Sequence, residues 1–457
     1  MKNYKKVYAA FILAGGLILH GCNGIFDDLA INPNQPSMGA YFTSPSAVND
    51  AVMTMYGYMS TQRCLGASGS KTTIIRSDEA SSNSDYGKPG MFGADLNASY
   101  YTIEQPYTLM YTTASQASYI IETAPSVDFS GNEELRNAYM GEAYFWRAFA
   151  HYYLLINFRN ISPIRQMPRN GDDYVRPLEK PAAVWNFIQE DLAHAKELLP
   201  VKGYWDSKNA GRVTKASAAA LLGKAYLYRS GIEQYYGEDK TTFYSEAAKE
   251  FGDVIDGKYG TYDLTKNYAD NFDVAHENNE ESILEFQFLG DVDNAGFNPG
   301  LATSGLAFDS RGLMLPGAGV GYEGVVHNWL YNAFVNSVDK DGYTDIRMFS
   351  TMIFNDLDAS IHLRNDAGGN PVRLEGPGGY KWEELYPAKN GKEGFATVSN
   401  PLAHSFKAGI RKGIDCSMPT QTEADGTPKL VGVGAGVKEY VYNQPRAHGV
   451  NWRYIRY

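Results

Sequence analysis

The chain has 457 residues, with 41 Lys plus Arg against 52 Asp plus Glu, for a net charge of −11. That balance argues against nucleic-acid binding, which needs a cationic surface to displace counterions, and the 44% hydrophobic content excludes wholesale disorder and collagen-like sequence. The odd number is 34 tyrosines, more than the 21 Phe and 6 Trp together; each offers an apolar face with a hydroxyl at its rim, which suits half-wet surfaces and interfaces.

Residues 1–21 read as an export signal. Lys2, Lys5 and Lys6 give a cationic start, and Val7 to Leu19 is an apolar stretch of 13 residues. A membrane-spanning helix needs about 20. The stretch ends in Leu19-His20-Gly21-Cys22, which resembles the bacterial lipobox, with Cys22 as the lipidated residue; an ordinary signal peptide with an incidental cysteine is the other reading. Lipidation gives an anchor at a membrane surface rather than a span. Cleavage removes three lysines and leaves 38 basic against 52 acidic residues, net −14. Cys64 and Cys416 remain, and outside the cytoplasm they have the option of pairing.

Residues 22–43, with Asn32-Pro33-Asn34-Gln35-Pro36, read as an extended tether. Helical periodicity then takes over. Ser44 or Ser46 caps a helix running to about Ser60, and a second runs from about Pro106 to Thr123. The third is the strongest: Leu135, Tyr139, Ala143, Trp146, Phe149, Tyr153 and Ile156 recur at steps of three or four. A fourth covers Ala182 to Leu199 and stops at Pro200. Thr214 caps a fifth, Ala216 to Tyr228, and a sixth spans Phe243 to Ile255. Ala219, Leu222, Gly223, Tyr226, Ala247 and Phe251 resemble the tetratricopeptide pattern of small residues where two helices touch. Three consecutive pairs, 44–123, 132–199 and 214–257, predict a mainly α protein with a tetratricopeptide-like helical-repeat domain over 44–259.

The character changes after Gly260. Eight glycines fall between Gly296 and Gly324, and helical periodicity fades. Ser282 to Leu289 reads as a short strand, Trp329 to Val335 as one more helix, and Val437 to Tyr442 as another short strand. Residues 260–457 still carry Trp382, Phe395 and Phe406, so they read as a loop-rich second lobe with short strands.

Several pieces together carry a family likeness. They are the lipobox with its Asn-Pro-Asn tether, Pro106 to Tyr111, Gly141 to Phe149, Glu190-Asp191-Leu192 to Pro200, and Gly211-Arg212-Val213-Thr214-Lys215 leading into Ala218 to Tyr228. Asp339-Lys340-Asp341 with Asp345-Ile346-Arg347, and Asn451 to Tyr457, also fit. In this order and spacing the chain resembles the SusD/RagB-like family of lipid-anchored outer-membrane proteins of Bacteroidetes. The resemblance implies a cell-surface lipoprotein that captures nutrient, usually oligosaccharide and in some members peptide. It hands the nutrient to a TonB-dependent, SusC-like transporter in the outer membrane, and it implies no catalysis. In that family further helices follow the Ile-Arg-Tyr segment, whereas this chain stops at Tyr457; the expectation is weaker folding or an atypical C-terminal cap.

The family has no invariant ligand-binding motif, so the site is read from residue chemistry. Sugar capture needs flat aromatic faces with amide and carboxylate groups for the hydroxyls. Two loop segments supply these: Arg76, Asp78, Asn83, Asp85, Tyr86 and Phe92 with Tyr100 and Tyr101, and Phe297, Asn298 and Tyr322. The plainer alternative is that Tyr100 and Tyr101 open a packed element and that Arg76 and Asp78 form a structural ion pair. Trp146, Trp185 and Trp329 sit at helical spacing and read as core, while Trp382 fits either role. Tyr139, Tyr144, Tyr152, Tyr153, Tyr226, Tyr228, Tyr235 and Tyr236 read as helix–helix seams and their wet margins. Glu142 and Arg147, on an otherwise apolar helix, read as a buried ion pair locking two repeats rather than as catalytic groups.

Enzyme signatures mostly fail. None of the eight histidines forms an HExxH pair, and Cys64 has no nucleophile signature. Gly319 to Gly324 spells GxGxxG without a strand–helix unit around it. Ser337, Asp339, Asp341 and Gly342 resemble part of a calcium loop, but Met348 stands where the bidentate Glu belongs. The expected function is glycan binding without cleavage and without a cofactor. Alternatives are a peptide-binding lid on the same kind of transporter, a glycoside hydrolase with unrecognised carboxylates, and a purely protein-docking repeat.

Overall fold

The computed structural model describes residues 42–61, 63–65, 80–82, 98–99, 101–167, 175–237, 239–266, 268–272, 276–287, 323–326, 333–334, 336–343, 345, 347, 430–432 and 438–440. Six α-helices of twelve or more residues account for most of these: α1 Pro45–Ser60, α2 Tyr101–Thr123, α3 Glu133–Phe158, α4 Pro181–Leu198, α5 Lys215–Tyr236 and α6 Tyr244–Ile255. Each packs on the next in sequence, and α1 also reaches α3. This is the nearest-neighbour stacking expected of a helical repeat.

Local chemistry sets the helix starts. At α1 the Ser44 hydroxyl accepts from the Ala47 N–H at 3.3 Å, with Pro45 at the first helical position. Asn132 Oδ1 accepts from Leu135 N–H at 3.1 Å, and Glu133 and Glu134 place negative charge on the first turn of α3. At α5 Thr214 is the cap, its N–H donating to the Ser217 hydroxyl at 3.1 Å, and Gly237 closes the helix at φ +69°.

Two helices exceed the lengths read from periodicity. α2 begins at Tyr101 and contains Pro106, because a proline two turns in removes only one N–H from the helix. α5 continues eight residues past Tyr228, and Ser230 and Glu233 on the added turns are buried; the stop signal is Gly237, not the tyrosine.

The core runs along the helix faces. Trp146 and Trp185 are completely buried, as the spacing predicts, with Phe145, Met55, Met59 and Ile188 beside them. Burial of such side chains stabilises by about 1.5–3 kcal/mol each. The small residues of the tetratricopeptide-like pattern sit where the pattern predicts. A Cβ added at Gly223 would lie 2.8 Å from Phe251 Cε1, so the Phe251 ring of α6 rests on the α5 backbone. Tyr226 stacks on Phe243 with centroids 5.6 Å apart.

Residues 282–287, read from sequence as the start of a strand, form none. They run over the helices, with Leu284 and Phe286 packed against the core and the Phe286 ring 5.8 Å from Trp146. The close approach explains Gly211, whose φ is +81° and whose missing Cβ leaves room for Glu285 O. Strands among the described residues are two short antiparallel pairs: β1 Ala80–Ser82 with β2 Glu323–Val326, and β3 Leu430–Gly432 with β4 Lys438–Tyr440. The last two residues of the GxGxxG sequence, Glu323 and Gly324, lie on β2 and not at a helix start. No helix among the described residues is long and apolar enough to cross a membrane.

Candidate functional site

Cys22, Arg76, Asp78, Asn83, Asp85, Tyr86, Phe92, Tyr100, Phe297, Asn298 and Tyr322 all lie outside the described residues, as do Trp329, Trp382, Met348 and Cys416. The described part resolves instead the polar groups inside the helical scaffold and one aromatic cleft on its surface.

Glu142 and Arg147 do not pair with each other. Five residues apart on a helix, they point roughly 140° away from one another, and each clamps a different neighbour. Glu142 accepts from Arg212 Nε at 3.0 Å and from its terminal nitrogen at 2.5 Å. It also accepts from the Tyr56 hydroxyl at 2.6 Å. That hydroxyl accepts in turn from Val213 N–H at 2.8 Å, and Arg212 donates to Asn49 Oδ1 at 2.8 Å. The Gly211-Arg212-Val213 segment is thereby tied to α1 and α3 at once. Burial pushes the Glu142 carboxyl above its ordinary range, with Arg212 and the Tyr56 hydroxyl acting against that shift.

Arg147 reaches across to α4. It holds Asp191 through two bonds of 2.7 Å and also donates to Ser118 Oγ and Arg165 O. One turn on, buried His151 bridges the same region. Its Nδ1–H donates to Arg147 O at 2.7 Å and its Nε2 accepts from Ile164 N–H at 2.9 Å. Burial pushes the imidazole down to about 3, so it is neutral in the fold. Their arrangement locks helices together. Cys64 is likewise a buried thiol, pushed upward by burial and unreactive for that reason.

Asp339, the first acidic residue of the calcium-like segment, turns its carboxylate onto backbone. Its Oδ1 accepts from the N–H groups of Asp341 at 2.9 Å and Tyr343 at 3.1 Å.

The concave surface lies where α3 ends beside the last turns of α5. It is an open cleft of about 660 Å³ with Tyr228, Tyr235, Tyr236 and Tyr244 around it and Ile156 and Leu227 between them. Tyr235 is 84% exposed and Tyr236 58%. Helical spacing predicts Tyr228, Tyr235 and Tyr236 at helix seams and their wet margins; the structure keeps Tyr226 in the seam and turns Tyr235 and Tyr236 outward. Adjacent helical residues diverge by about 100°, so a Tyr-Tyr pair at a helix end cannot both enter one seam. At the floor, Arg159 is held by Glu233 through two bonds of 2.7 Å and lies 4.2 Å from the Tyr236 ring centroid. Glu233, fully buried, also accepts from Trp185 Nε1 at 2.7 Å.

Residues 31–227 match the family described as "Starch-binding associating with outer membrane". Over this span the chain is similar to the SusD-like family. A SusD-like protein of Bacteroides ovatus is 26% identical over 293 residues, 63% of this chain and 51% of that protein. The chain spans about half the length of the curated relatives it matches. Among solved structures, a laminarin-binding SusD-like protein is 22% identical with a TM-score of 0.54, covering 68% of this chain and 67% of the other. A SusD superfamily protein from Bacteroides vulgatus is 21% identical with a TM-score of 0.53, covering 69% and 62%. At these identities the structural likeness establishes the SusD-like fold.

Proposed function

We propose that this protein is a cell-surface lipoprotein that binds oligosaccharide or polysaccharide nutrient without cleaving it and delivers it to a TonB-dependent, SusC-like outer-membrane transporter. The observation that carries the reading is the SusD-like match over residues 31–227, to a family described by starch binding and outer-membrane association. The laminarin-binding relative of the same fold supports a glycan as ligand. In this reading residues 1–21 are removed, Cys22 carries the acyl chains, and 22–43 tether the body to the membrane. Residues 44–259 form the repeat domain and 260–457 a loop-rich second lobe. The ligand face is built from Arg76, Asp78, Asn83, Asp85, Tyr86 and Phe92 with Phe297, Asn298 and Tyr322.

Affinity electrophoresis of the purified chain in gels containing starch, laminarin or xylan tests this, run beside an assay for new reducing ends. Retardation without product supports the capture role. Product release instead makes the protein a glycoside hydrolase, and binding of peptides with no retardation by any glycan makes it a peptide-binding lid.

A further inference from the structure

The floor of the tyrosine cleft is strained. Arg159 adopts φ +65° and ψ −75°, and the Asn160 N–H donates to Phe158 O at 2.8 Å. This is a γ-turn with positive φ at its centre, a rare conformation for a residue with a Cβ. Strain of this kind persists only where the surroundings over-determine it, and it concentrates at functional sites. Glu233 does that here. Its two bonds to Arg159, backed by the Trp185 N–H, fix the guanidinium over Tyr236 and so fix that ring at the mouth of the cleft.

We propose that this cleft is a carbohydrate-contact site for a neutral glycan, built from residues other than the loop residues of the proposed ligand face. The proposal rests on the glycan-capture reading and gives the helical domain its own share in it. Four exposed or half-exposed tyrosine rings offer flat faces to the C–H faces of sugar rings, and their hydroxyls stand at the rims to meet sugar hydroxyls. Arg159 is the one Lys, Arg, Asp or Glu lining the cleft among the described residues, and Glu233 neutralises it. An ionic ligand therefore finds no uncompensated charge, whereas an uncharged polyol loses nothing by entering. A docked amphipathic helix would want a continuous apolar stripe, which the ring hydroxyls interrupt. The open form of the cleft suits a chain passing along it more than an enclosed single sugar.

Two double variants of the full chain test the site, Tyr235→Ala with Tyr236→Ala and Tyr228→Ala with Tyr244→Ala. The probes are starch and laminarin in affinity gels, with thermal melts to show that each variant is folded. The expected result is a wild-type chain retarded by at least one probe and folded variants whose affinity for it falls by roughly tenfold. Wild-type retardation that both folded variants reproduce overturns the cleft site and leaves the capture function standing. A wild-type chain that neither probe retards, in a gel that retards a known glycan binder, overturns the capture reading and this site together. Variants that keep glycan affinity but lose a protein partner reassign the cleft to docking.

Discussion

Glu142 and Arg212 lie 70 residues apart and close on each other through two hydrogen bonds of 3.0 and 2.5 Å, with both side chains buried. The contact joins α3 to the segment that leads into α5, and Tyr56 brings α1 into it. Removing the charge from one partner strands the other in an apolar interior. Glu142→Gln should therefore cost about 3–5 kcal/mol of folding stability, read by chemical denaturation. A variant as stable as wild type would show that the clamp does not stabilise the fold.

Trp185 donates to the carboxylate that holds Arg159. Trp185→Phe deletes that donor while keeping most of the ring, and should cost about 1–3 kcal/mol. A double-mutant cycle with Arg159→Met should show coupling, because both partners share Glu233. Strict additivity would mean that the three groups do not act as a unit.

At Gly223 the α6 ring leaves no room for a side chain. Gly223→Val should destabilise by about 1–3 kcal/mol through overpacking, and Phe251→Leu in the same chain should recover part of the loss. The melting temperatures of the two variants decide it; no recovery would place the strain elsewhere.

His151 gives a pH dependence with a definite sign. Its folded value is depressed to about 3 from an unfolded value of 6.5. Between those limits the unfolded chain binds a proton that the folded chain refuses, so stability falls as pH drops below about 6.5. The slope from this group is at most about 1.4 kcal/mol per pH unit. The stability advantage of wild type over His151→Gln should shrink from pH 7 to pH 4.5. A constant difference across that range would show that the imidazole is not held neutral.

How far the sequence reaches is clear from particular residues. Ser44 and Thr214 mark helix starts through bonds made within a few residues, and Pro200 stops α4 by its ring and missing N–H, so all three are legible without a fold. Trp146, Trp185 and the Gly223–Phe251 seam follow from helical spacing, which assigns a face. The partner of a charge is another matter: nearness in sequence suggests that Glu142 and Arg147 pair, yet one meets Arg212 and the other Asp191. The cleft escaped for the same reason. Tyr228, Tyr235 and Tyr236 carry the same residue type as Tyr226, and only packing decides which ring enters a seam and which meets solvent.

By itself, then, the sequence determined the helical class, the order of six helices, the small-residue seams and the likeness to the SusD-like family. These depend on local periodicity, capping chemistry and spacing along the chain. The tertiary structure alone decided the three arginine–carboxylate clamps, the neutral state of His151 and the outward turn of the cleft tyrosines. Each of those depends on which groups share a small volume after folding, where burial and opposing charge act over a few ångströms and chain distance no longer counts.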